Sequence, residues 1–134
     1  MEIEEALIAY LLVQSGLTSL IGRRLFPEEI PQNTIMPAVS MIKISDVKDH
    51  TLTGQLQNES PVFQFSVFAE TKASARAVTN QIKTALVDYS GDLNGIQVEH
   101  IKLLTEISNL ETSTDGLIRV HTEDLEFEIN FIRS

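Results

Sequence analysis

Near the C-terminus, Leu125, Phe127, Ile129 and Phe131 alternate without a break with Glu126, Glu128 and Asn130. Successive side chains of a strand point to opposite faces, so this run reads as a strand with one dry face and one wet face. Such alternation belongs to antiparallel sheets with one face on a core, because strands of a fully covered parallel sheet read as continuous apolar runs. Residues 62–69 repeat the pattern, with Phe63, Phe65 and Val67 set against Gln64 and Ser66, and Phe68 breaks it at the end. The dry face these strands share has to be covered, and the helical periodicities elsewhere in the chain supply the cover.

Ile3, Leu7, Ile8 and Leu11 recur at helical spacing, with Leu12 widening the stripe, which predicts a helix over residues 2–15. Glu2, Glu4 and Glu5 fall in its first turn, where negative charge complements the helix dipole. Gly16 is the expected left-handed stop, and Leu17 to Ile21 have room for one further turn before Gly22. A second helix is predicted over residues 72–89, capped by Thr71, with Ala75, Val78, Ile82, Leu86 and Tyr89 on its buried stripe and Gly91 just past its end.

The remaining segments are strands and connectors. A short strand is expected around residues 23–26, followed by an irregular segment, 27–37, whose three prolines exclude a regular helix. Residues 38–45 read as a strand with Val39 and Met41 on one face and Ile42 and Ile44 on the other, a pattern expected of a strand covered on both sides. Residues 46–60 are the most polar stretch, with only Val47, Leu52 and Leu56 aliphatic; they form either a long loop or a projecting hairpin turning near Thr53-Gly54. So few apolar groups do not offset the entropy of ordering, so the segment is expected to order only on assembly. In residues 96–107 Ile96 and Val98 share one phase and Ile101 and Leu103 the other, which predicts a bulge near Glu99-His100. Residues 109–116 read as a polar connector ending in the turn signal Asp115-Gly116. In the last strand, 117–132, Ile118 and Val120 are out of phase with Leu125, which predicts a second bulge over 122–124.

The class is therefore α+β: a mostly antiparallel sheet of about five strands with two helices packed on it, in one domain spanning residues 1–134. Of the residues, 43% are hydrophobic and 22% charged, ordinary values for a globular domain of this size. The net charge of −9 and pI of about 4.7 disfavour sequence-independent DNA binding, which depends on Lys and Arg displacing counterions from phosphates, and no specific nucleic-acid binding is expected. There is no cysteine, hence no disulfide framework and no thiol nucleophile. The N-terminus is acidic where a signal peptide carries positive charge, and residues 6–13, the longest apolar stretch, are far short of the ~20 residues of a membrane span.

The chain carries no Gly-x-Ser-x-Gly elbow, Gly-rich phosphate loop or His-Glu-x-x-His pair. Asp46-Val47-Lys48-Asp49-His50 has a loose metal-ligand spacing but reads as a solvated polar stretch, and His100 and His121 read as strand positions near the bulges. The acidic run Glu123, Asp124, Glu126 and Glu128 fits a hydrated strand face better than an acid/base pair. No catalytic residue, metal or cofactor is expected.

Specific short segments recur in a recognisable order: Ile3-Glu4-Glu5-Ala6-Leu7, then Arg24-Leu25-Phe26-Pro27, Ile30-Pro31-Gln32 and Met36-Pro37-Ala38-Val39. They are followed by Asp49-His50-Thr51-Leu52-Thr53-Gly54, the strand over 62–68, the Ala-rich helix at Ala73-Ser74-Ala75-Arg76-Ala77, and Asp115-Gly116-Leu117-Ile118-Arg119-Val120. This order resembles the small tail-completion proteins of long, non-contractile-tailed phages, also described as tail terminators or tail-to-head joining proteins. The resemblance spans nearly the whole chain, and it rests on order and spacing rather than on any one motif.

The resemblance implies a structural virion protein that forms a ring, typically a hexamer, at the head-proximal end of the tail. Such a ring stops the growth of the tail tube, presents a docking face to the head connector and leaves a channel through which DNA passes. The implied partners are copies of the chain itself, the tail tube protein and the head connector protein, with no membrane. The implied location is the virion, and the host cytoplasm during assembly. A ring needs head-to-tail contacts, and the two polar segments offer Pro31, Met36, Asp49, His50, Leu52 and Leu56 as candidate contacts. Glu126 and Glu128 are candidates for an acidic channel or interface face. The alternatives are a head-side connector or stopper ring and a non-viral α+β binding module.

Overall fold

Four long strands carry the structure, a computed structural model that describes residues 2–31, 33–50, 57–112 and 119–133. In chain order the elements are helices α1 (Ile3–Leu11) and α2 (Ser15–Ile21), strands β1 (Leu25–Pro27), β2 (Ala38–His50) and β3 (Gln57–Ala69), helix α3 (Lys72–Leu86), and strands β4 (Gly91–Leu93), β5 (Ile96–Thr112) and β6 (Arg119–Arg133). The strands form one sheet in the order β1-β2-β3-β6-β5-β4. Only β1 and β2 pair in parallel; the other four pairings are antiparallel. The α+β class and the mostly antiparallel sheet stand as expected, with six strands and three helices among the described residues.

The alternation that opened the sequence reading sets the two faces. Leu125, Phe127, Ile129 and Phe131 on β6 and Phe63, Phe65 and Val67 on β3 are buried in a single core with the helices. The registers Phe63↔Phe127 and Phe65↔Leu125 place them side by side. The rings of Phe65 and Phe127 meet edge to face, with centroids 5.7 Å apart, a geometry aromatic quadrupoles favour. Ile3, Leu7 and Leu11 of α1, Leu17 and Ile21 of α2, and Ala75, Val78, Ile82 and Leu86 of α3 close the core from one side of the sheet.

The helices start and stop for local reasons. The Thr71 side chain accepts a hydrogen bond from the Ser74 N–H at 3.1 Å, the expected N-cap of α3. The single N-terminal helix expected over 2–15 is instead two. At the break the Gln14 side-chain amide donates to the Tyr10 carbonyl at 3.0 Å, an oxygen that also accepts from the Val13 N–H at 3.3 Å. Gly16 is not a stop: it lies inside α2, where a Cβ would collide with the Gln81 side chain on α3. The stop falls at Gly22, whose φ of 61° is the left-handed conformation that glycine adopts without penalty.

Three strand readings are corrected. Strands β2 and β3 pair out to His50↔Gln57, so residues 46–50 and 57–60 form the arms of a hairpin, one of the two forms expected for this segment, and are paired within a single copy where ordering only on assembly was expected. Ladder hydrogen bonds join backbone groups whatever the side chains are, which is how so polar a sequence extends the sheet. Residues 51–56, which include the expected turn at Thr53-Gly54 and the candidate contacts Leu52 and Leu56, lie outside the described residues. Strand β2 is covered on one face only along Ile42 and Ile44, which are 40% and 46% exposed. The bulge near Glu99-His100 is present as a register shift between Val98 and His100. The second bulge is not in β6, whose pairing with β3 keeps one register from Gln57↔Arg133 to Ala69↔His121. Val120 therefore stands on the face opposite Leu125 by plain alternation; a register shift does occur on the facing strand, between Leu103 and Thr105.

Candidate assembly interface

The polar segment after β1 folds back across the sheet face that the helices leave open. Glu28, Ile30, Pro31, Thr34 and Met36 form one wall of a cavity of about 470 Å³; Ala38, Ser40, Ile42, Ser66 and Phe68 form the other. The segment is held by the Arg24 side chain, whose Nε donates to the Pro37 carbonyl at 3.0 Å, and by the Glu28 N–H donating to the Met41 carbonyl at 2.8 Å. Pro31 and Met36, two of the candidate contacts, are thus brought together, and Ile35 beside them is 72% exposed.

Asp49 and His50 lie at the far end of β2, a strand of 13 residues and so roughly 40 Å long. The four candidate contacts among the described residues, Pro31, Met36, Asp49 and His50, therefore fall in two separate places, one at each end of β2.

Glu126 and Glu128 are where the alternation put them, on the open face of β6 and half-buried. Asp124 precedes them on the same face, making a column of three carboxylates down a central strand. Glu126 pairs with Gln64 and Thr105, and Glu128 with Val62 and Lys102. Opposite charges directly across a ladder attract, so Lys102 faces one acid of the column while the rest of the stripe stays negative.

The histidines do not converge. His100 Nε2 lies 4.0 Å from Asp88 Oδ1, on the side of the sheet end where β4 begins. His121 lines a cavity of about 290 Å³ at the opposite end with Lys72, Ser108 and Glu123. There Ser108 Oγ donates to Glu123 Oε1 at 3.2 Å, so the hydroxyl is engaged by a carboxylate and not by an imidazole base. Among the described residues no cluster of three or more His, Asp or Glu is arranged to hold a metal ion, and no helix is long and apolar enough to cross a membrane.

One set of residues escaped the sequence reading. Leu104, Ile107 and Leu110 on β5 are 40%, 53% and 52% exposed, as unusual for their type as Ile42 and Ile44 on β2. The available signal was their crowding in a stretch whose phase does not match any single buried face.

No curated protein sequence matches the chain. Among solved structures, a chain of "Virion of native gene transfer agent (GTA) particle" superposes with a TM-score of 0.74 at 17% identity, over 98% of this chain and 98% of that one, a likeness of fold. The sequence profile of the family described as Tail completion protein gp17 matches residues 5–126. That match covers nearly all of the domain, from α1 into β6, and the chain therefore belongs to the tail completion protein gp17 family and is a structural tail protein.

Proposed function

We propose that the protein forms a ring, a hexamer on the family pattern, at the head-proximal end of a phage tail, where it ends the tail tube and joins it to the head connector. Family membership over residues 5–126 carries this reading. The carboxylate column of Asp124, Glu126 and Glu128 supports it. A channel wall of that charge repels DNA phosphates and lets the genome pass without adhering. The partners are neighbouring copies, the tail tube protein and the connector protein; the protein resides in the virion after assembly in the host cytoplasm. No catalytic step is part of this function.

A head-side stopper ring would share the ring and the channel and differ only in which partner it meets. A binding module is the second reading, favoured by the mostly apolar cavity of about 470 Å³ beneath Pro31 and Met36. Negative-stain images of the concentrated protein separate these. Closed rings without added ligand, binding the ends of purified tail tubes, are expected; a monomer at every concentration that also ignores tube ends would overturn the proposal.

A further inference from the structure

The sheet has two outer strands that are each covered over only part of their length. Strand β1 and the Glu28 N–H cover the outer side of β2 as far as Met41. Strand β4 and the Asp88 N–H, which donates to the Ile101 carbonyl at 3.1 Å, cover the outer side of β5 as far as Ile101. Beyond these points, residues 43–50 of β2 and 103–112 of β5 have no outer neighbour strand among the described residues. A long uncovered edge presents unpaired backbone donors and acceptors, which makes it a template for another strand. Of the eight exposed large apolar residues among the described ones, five stand on these two strands: Ile42, Ile44, Leu104, Ile107 and Leu110. Each free stretch also opens with a bulge, between Lys43 and Ser45 on β2 and between Leu103 and Thr105 on β5.

We propose that neighbouring copies join edge to edge, residues 43–50 of one copy adding antiparallel to residues 103–112 of the next; the inference rests on the ring reading and names its subunit contact. Three geometric facts fit the two stretches to each other. The first is direction. Three antiparallel steps separate β2 from β5, so the two run opposite ways, and in a ring of like-oriented copies they meet antiparallel. The second is length. When the free stretches lie side by side, β1 of one copy sits beyond the C-terminal end of its neighbour's β5. The neighbour's β4 likewise sits beyond the C-terminal end of β2. Each short outer strand then acts as the stop that sets the register.

The third is stagger. Ile107, in the middle of the free β5 stretch, pairs with Asp124, which pairs with Ser66, which pairs with Ser40. The middle of the free β2 stretch is Asp46, six residues beyond Ser40, with the bulge between them. Omitting the extra bulge residue, the offset is five rungs, or about 17 Å, across four strand spacings totalling about 19 Å. Matching the stretches inclines the strands by about 40° to the ring axis, inside the roughly 35–45° of closed β-barrels. The bulges bend and twist the free edges, which keeps a lone copy from pairing indiscriminately.

Two single substitutions test this contact. Ile44→Lys spoils the β2 edge and Leu110→Lys the β5 edge, both at exposed positions. Each variant alone is expected to lose ring formation at concentrations where the unaltered protein forms rings. Mixed, the intact β5 edge of the first meets the intact β2 edge of the second, and light scattering should find a dimer of one copy each and nothing larger. Hydrogen exchange on the unaltered protein gives a second readout, with amides of 43–50 and 103–112 slowing on ring formation. If both variants still form rings, or a folding defect leaves only the exchange data and those show no slowing in either stretch, the edge contact is wrong while the ring stands. If the unaltered protein forms no ring even on tail tubes, the ring reading fails and this contact with it.

Discussion

The helix-covered face of the sheet and its two outer edges are built from the same residue types under opposite conditions. Phe63, Phe65 and Phe127 are completely buried, whereas Ile44, Ile107 and Leu110 are about half exposed. The first set is what any isolated domain needs in order to fold. The second contributes little to folding alone, since exposed apolar area is not removed from water until something covers it. Under the proposed edge contact the contrast separates stability from assembly within one sheet, and substitutions on the two regions should have different consequences.

The largest effect belongs to the covered face. Phe65→Ala or Phe127→Ala should cost about 3–5 kcal/mol in chemical denaturation, because each leaves a cavity and removes the edge-to-face contact. An edge substitution such as Ile107→Lys should stay within about 0.5 kcal/mol. Equal losses at both places would break the comparison.

An intermediate effect is expected where the helices are fastened to that face. Tyr10 donates to the Ala85 carbonyl at 2.8 Å and packs on Tyr89, tying α1 to the end of α3. Tyr10→Phe should cost about 1 kcal/mol. Burial, and then the neighbouring Tyr89, raise the Tyr10 hydroxyl above its ordinary value of 10.0. The folded state thus holds a proton that the unfolded chain releases, so this contribution is intact below about pH 10 and is lost as pH climbs past it. Thermal melts across that range should fall less steeply for Tyr10→Phe. Thr71→Ala, which removes the cap of α3, should likewise cost about 1 kcal/mol.

The smallest effect on folding is predicted on the open face. Changing Glu126 and Glu128 together to Lys should alter stability by no more than about 0.5 kcal/mol per site. If the column lines the channel, tail completion or DNA passage should drop. Normal infectious particles carrying both lysines would reduce the column to a hydrated surface.

What could be read in advance follows the same division. The strands over 62–69 and 125–131 were legible because a dry face and a wet face impose period two, and α3 because Thr71 and the Ala75–Val78–Ile82–Leu86 spacing agree. The β2–β3 hairpin was legible only as one of two alternatives, a projecting hairpin or a long loop, since ladder hydrogen bonds extend through Asp46 and Asn58 without any apolar pattern. The bulge expected over 122–124 was a misreading, because Val120 is out of phase with Leu125 simply by standing on the open face of a regularly alternating strand. Among the candidate contact residues, the acids at 126 and 128 could be placed from alternation. That Pro31 and Met36 share a cavity, with Asp49 and His50 at the other end of the strand, depends on how the proline segment folds back, and no local pattern encodes that.

The central claim is that this domain works by closing a ring on a tail end. Tail tube protein polymerised with and without the chain, imaged by electron microscopy, tests it most directly. The account predicts tubes that stop growing and carry a ring at one end when the chain is present. Tubes of unchanged length with bare ends, at concentrations where the chain is folded and in excess, would contradict it.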